Sequence, residues 1–186
     1  MDKKVIIIVL IVAVVAVAAV AMMSTEEKES GFDHTGKNVN ATASALMVDT
    51  SVAPSGWVVS GIDGSGTPPA NVVSVADRSF TNSGYSQMIL VTLYVYDTTE
   101  NAKARYATEK TDAQTTYSVS GYDKCEQGFT YTISAGMSTM TQYVFQDMNV
   151  YGEIYTTSGV VKISDKLIKE IFNSLEGKIH GAAVAA

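Results

Sequence analysis

Gln87-Met88-Ile89-Leu90-Val91-Thr92-Leu93-Tyr94-Val95-Tyr96 runs without a break into Asp97-Thr98-Thr99-Glu100. Its alternation has two apolar sides. Ile89, Val91, Leu93 and Val95 fall on one face, and Leu90, Tyr94 and Tyr96 on the other. A strand apolar on both faces belongs at the centre of a sheet covered on each side. Asp97 with Glu100 three residues on is a helix start. The helix it predicts runs to about Asp112, with Ala102, Tyr106, Ala107 and Ala113 as a thin apolar stripe. Lys103, Arg105, Glu109 and Lys110 point outward.

Working upstream, Pro54-Ser55-Gly56-Trp57 turns the chain into Val58 and Val59, with Trp57 expected on a core edge. Gly61 to Pro69 is rich in breakers. Its glycines lead to the strand-like run Val72–Phe80 and lack a following Lys-Ser/Thr, so it reads as a surface turn and not as a phosphate cradle. Downstream, Phe129, Tyr131 and Ile133 alternate with Thr130, Thr132 and Ser134. Met140–Gln146 and Val150–Tyr155 are strand-like on either side of an Asp147-Met148-Asn149 turn, and Val160–Ile163 follows Ser158-Gly159. Ser164 then caps an amphipathic helix whose stripe is Leu167, Ile168, Ile171, Phe172 and Leu175, closed by Gly177. The fold class expected is α+β: a mainly antiparallel sheet packed by two helices over residues 51–179. A ferredoxin-like layout is the alternative.

The N-terminal part is of another kind. Val5 to Met23 contains no charge, proline or glycine, and at about 1.5 Å per residue is long enough to cross a hydrocarbon core of about 30 Å as a helix. Lys3 and Lys4 precede it and Glu26-Glu27-Lys28-Glu29 follows. That asymmetry places residues 1–4 in the cytoplasm and the body outside, in the cell membrane or on its surface. Ala16-Val17-Ala18 and Ala19-Val20-Ala21 are also small-x-small sites, so a cleaved signal and a secreted product are the competing reading. A pilin-type assembly helix lacks the expected glutamate inside the run. Residues 24–50, rich in Ser, Thr, Asn and Ala, read as a flexible extracytoplasmic linker, and residues 180–186 as a frayed tail. Asn40-Ala41-Thr42 is an N-glycosylation acceptor pattern.

Composition then narrows function. The 186 residues carry a net charge of −6, which provides no basic footprint for nucleic acid. One cysteine, Cys125, allows no internal disulfide and reads as a small buried hydrophobe. The two histidines, His34 and His180, fall in the linker and the tail, which argues against a histidine-based triad. Asp123 with Glu126, and Asp147 with Glu153, are acid pairs of the kind a carboxylate- or tyrosine-based hydrolase would need. The simpler reading makes them solvated, with Asp147 and Asn149 serving their own turn. No catalytic residue, metal-ligand cluster or cofactor motif is expected. Tyr143, Tyr151 and Tyr155 are the candidate binding face for a protein or small-molecule ligand, since strand residues two or four apart share a side.

The P-x-G-W entry at Pro54–Trp57, the long strand into Asp97–Ala102, the run Val144-Phe145-Gln146-Asp147-Met148-Asn149-Val150 and the closing helix together carry a resemblance. The chain looks like the small membrane-anchored extracytoplasmic domains of archaea and Gram-positive bacteria, some with a PsbP-like α/β/α layout. That resemblance covers about residues 51–179. The role expected, from the anchor, the tether, the acidic body and the missing chemistry, is non-enzymatic binding or scaffolding. The metal sites of PsbP-like proteins have no matching cluster here.

Overall fold

A computed structural model describes residues 34–63 and 68–186. The Val5–Met23 run lies outside the described residues, among which no helix is long and apolar enough to cross a membrane. In chain order the elements are β1 (Lys37–Val39), α1 (Ala43–Leu46), β2 (Val58–Asp63), β3 (Val72–Asn82), β4 (Gln87–Tyr96) and α2 (Thr99–Thr116). Then come β5 (Ser120–Gly121), β6 (Gln127–Ala135), β7 (Ser138–Asp147), β8 (Val150–Ser158), α3 (Asp165–Gly181) and β9 (Ala183–Ala185).

Seven strands form one sheet in the order β2-β3-β4-β8-β7-β6-β5, antiparallel at every step. Two meanders, β2-β3-β4 and β5-β6-β7-β8, meet where β4 pairs with β8, and α2 is the connection between them. A ferredoxin-like layout interleaves two split β-α-β units within one sheet. Here two meanders lie side by side with a single helical connection between them, so the layout is not ferredoxin-like. Strand β4 is central, as its two apolar faces require. Ile89, Val91, Leu93 and Val95 are buried in one cluster with Phe145, Ile154 and the α3 residues Ile168, Ile171, Phe172 and Leu175. On the opposite face Tyr96, Phe129, Val144 and Tyr151 pack with Ala102, Tyr106 and Ala113 of α2. The sheet is therefore sandwiched between α2 and α3; α3 buries the stripe its sequence carries, while α2 buries Ala102, Tyr106 and Ala113 and leaves Ala107 exposed.

The helix ends show how local chemistry sets these boundaries. Ser164 Oγ accepts a hydrogen bond from Leu167 N–H at 3.3 Å, capping α3. Ser164→Ala should cost about 1 kcal/mol, seen as a lower urea midpoint with an unchanged slope. At α2 the cap is Thr98 and not Asp97: Thr98 Oγ1 accepts from Asn101 N–H at 3.2 Å, while Asp97 Oδ1 takes the Asn101 side-chain N–H at 2.8 Å. Gly177 does not end α3, which continues to Gly181 and buries Ile179 as a further turn of the stripe. Val160–Ile163 is not a strand either, and Val160 is 80% exposed.

The largest departure is at the two ends. Residues 34–50, assigned to the linker, and 180–186, assigned to a frayed tail, are folded onto the body. Strand β1 pairs antiparallel with β9, Asn38 opposite Val184, making a second two-stranded sheet. Val39, Ala43, Leu46, Met47 and Val48 are buried in the α3-side core. Polar contacts fix this segment as well. Lys178 Nζ donates to Met47 O at 2.9 Å and pairs with Asp49 Oδ1 at 2.7 Å, and the Arg78 guanidinium donates to Val48 O.

Candidate functional site: two histidines on a buried aspartate

Where the segment from residue 34 meets residues 180–186, the two cover the β7–β8 turn. That turn, Asp147-Met148-Asn149-Val150, is buried, which is unusual for a hairpin tip. Met148 holds a positive φ of 51°, uncommon for a residue other than glycine, and its side chain is fully enclosed. Asn149 does not cap its own backbone. Its Oδ1 accepts from Val39 N–H at 2.6 Å, and its Nδ2 donates to Val39 O at 3.3 Å and Tyr96 O at 2.8 Å. The side chain thus ties β1 to the end of β4. Glu126 steadies the turn from the other side, its Oε2 accepting from Met148 N–H at 3.2 Å and Gln146 Nε2 at 3.3 Å. Its Oε1 lies 2.7 Å from Lys103 Nζ. Burial would raise the Glu126 carboxyl, but the Lys103 contact and these hydrogen bonds outweigh it and hold the carboxyl below its ordinary value.

Asp147 is the geometric centre of the arrangement. Its side chain has no solvent exposure, and two histidines from opposite ends of the sequence approach its carboxylate. His180, in the last turn of α3, places Nε2 2.8 Å from Oδ2. His34, three residues before β1, places Nε2 3.6 Å from Oδ1. The imidazole centroids are 4.8 Å apart with planes inclined by 38°. His34 is positioned by a turn in which Lys37 N–H donates to His34 O at 3.0 Å. The same turn, through Gly36 at φ 68°, is tied to the C-terminus by Ala186 N–H donating to Gly36 O at 2.8 Å. Burial pushes the Asp147 carboxyl above its usual range against the opposing pull of the two histidines. Cys125 is a buried core residue whose thiol is raised, first by burial and then by the nearby Asp147 and Glu176 carboxylates.

The sequence-based candidates fall elsewhere. Tyr151 and Tyr155 share the α2 side of β8, but Tyr143 pairs with Ile154 and therefore lies on the α3 side. Tyr143 packs there against Tyr122 and Phe172, at centroid distances of 5.1 and 6.0 Å. Tyr151 is fully buried, its hydroxyl donating to Glu153 Oε1 at 2.6 Å under the Arg105 guanidinium. The three do not form one face. The acid pairs are separated too: Asp147 and Glu153 lie on opposite sides of the sheet, and Glu126 is held by Lys103 while Asp123 is exposed. Asn40 is exposed beside the β1–β9 pair, and Thr42 of its acceptor triplet caps α1 by accepting from Ala45 N–H. The His34–Asp147–His180 cluster was missed because its members are scattered through the sequence and carry no spacing motif.

This three-layer α+β fold has a solved counterpart. It is similar to the extracellular domain of PknH from Mycobacterium tuberculosis, with a TM-score of 0.57 and 13% sequence identity, over 75% of this chain and 98% of that one. At that identity the likeness is one of fold. No family model matches the chain, and no curated protein does.

Proposed function

We propose that the chain is a membrane-anchored extracytoplasmic domain that binds or scaffolds a ligand and is not itself an enzyme. The observation that carries this reading is the apolar run Val5–Met23 with lysines before it and acids after it, ahead of a self-contained α+β body. The fold supports it, since its solved counterpart is an extracellular domain. Folding of the N-terminal segment from His34 onward changes the reach of the tether. Residues 24–33 alone separate the apolar run from the body, and ten residues span at most about 35 Å. The body is thus held close to the bilayer.

Protease treatment of intact cells tests the reading. The expected result is release of one stable fragment whose N-terminus lies within residues 24–33. A body protected until the cells are lysed overturns it. A mature N-terminus beyond Ala21 in the untreated protein replaces the anchor by a cleaved signal and makes the domain a secreted one.

A further inference from the structure

We propose that His34, Asp147 and His180 form a binding site for a divalent first-row transition-metal ion, with Zn²⁺ the species the donors suit best. These three residues each offer one ligand atom, and the atoms lie within 4.8 Å of one another. Two imidazole nitrogens and one carboxylate oxygen are the donor set of three-ligand zinc sites and of other nitrogen-rich transition-metal centres, and differ from the all-oxygen shells of Ca²⁺ and Mg²⁺.

The geometry is close to what an ion needs. Bonds of about 2.0–2.1 Å in a tetrahedral site set neighbouring donors about 3.3 Å apart. His180 Nε2 and Asp147 Oδ2 are already closer than this at 2.8 Å, and His34 Nε2 and Asp147 Oδ1 are at 3.6 Å. Closing the widest separation among the three ligand atoms, up to 4.8 Å, takes about 1.5 Å of side-chain movement. The electrostatics point the same way. Asp147 is a fully enclosed carboxylate, and its Oδ1 accepts no hydrogen bond among the described residues. A buried carboxylate needs a compensating positive charge. A divalent ion would supply that charge at the point where the three donors converge.

The site would also work mechanically. Its ligands come from the segment before β1, the β7–β8 turn and the end of α3, so one ion clasps the β1 segment and α3 to the turn. This inference does not depend on where in the cell the domain resides.

The test uses the full-length chain in detergent, stripped with a chelator and titrated with Zn²⁺ by calorimetry and with Co²⁺ by visible absorption. One Zn²⁺ per chain is expected, with Kd on the order of micromolar or tighter. Co²⁺ should give the intense visible bands of a tetrahedral site. His34→Gln and His180→Gln should each weaken Zn²⁺ binding by at least about 100-fold, while their metal-free melting temperatures stay near that of the metal-free parent. A saturating excess of Zn²⁺ should raise the melting temperature of the parent chain and leave that of the double variant unmoved. Absence of saturable one-to-one binding, or equal affinity in the double variant, overturns the site and leaves a histidine–carboxylate ion pair. If a glutamine variant fails to fold, the stoichiometry and Co²⁺ spectrum of the parent chain decide the matter alone.

Discussion

Gly152→Ala should destabilise the fold by about 3 kcal/mol, measured as a fall in the urea midpoint of the detergent-solubilised chain. Gly152 sits on β8 between Leu93 of β4 and Phe145 of β7 in register. A Cβ there would stand 2.2 Å from Phe145 Cζ, 2.6 Å from Cε1 and 2.9 Å from Leu93 Cδ2. None of these atoms has room to yield. Phe145 and Leu93 are fully buried, and the Phe145 ring is held against Phe172 of α3 at a centroid distance of 5.4 Å. The glycine is therefore a packing requirement: its missing side chain lets Phe145 lie across β8 and reach the helix. A loss below about 1 kcal/mol would show that the sheet and α3 can separate to make space.

Asn149→Ala should have a comparable or larger effect, about 3–4 kcal/mol. The substitution removes three hydrogen bonds and strands Val39 N–H, a buried donor whose partner is the Asn149 side-chain oxygen Oδ1. The damage should be local first. Limited proteolysis should cleave the variant in the 40–57 segment, where the parent resists, before the sheet itself unfolds. A variant cut no faster than the parent would mean that β9 and the Lys178 and Arg78 contacts hold the N-terminal segment without Asn149.

The sequence makes the sheet and its two covering helices legible because their signals are local and redundant. Met88–Tyr96 announces a doubly covered strand, and Leu167–Leu175 keeps one helical stripe that the structure buries intact. The tyrosine face failed on a count of turn residues. The two-residue tip Met148-Asn149 sets Asp147 opposite Val150, so odd-numbered residues of β7 share a face with even-numbered residues of β8. Tyr143 consequently turns away from Tyr151 and Tyr155.

The ends were illegible for a different reason. Lys37–Val39 and Ala43–Leu46 are too short to show a period, and the partner of β1 lies at the opposite terminus. One residue did carry a hint of the buried turn. Met148 is a large apolar side chain at a hairpin tip, where a solvent-facing turn would favour Gly, Asn or Asp. Nothing comparable marks His34 or His180. Their significance arises only when β1 and β9 bring them to Asp147.

The pairing of β1 with β9 also dictates when this body can be finished. The first described strand waits for the last one, so the layer over the β7–β8 turn cannot close until residues 183–185 have been made. Both meanders and α2 can assemble earlier from neighbouring residues. Closure of that layer then requires α3 and its trailing strand to dock beside β1.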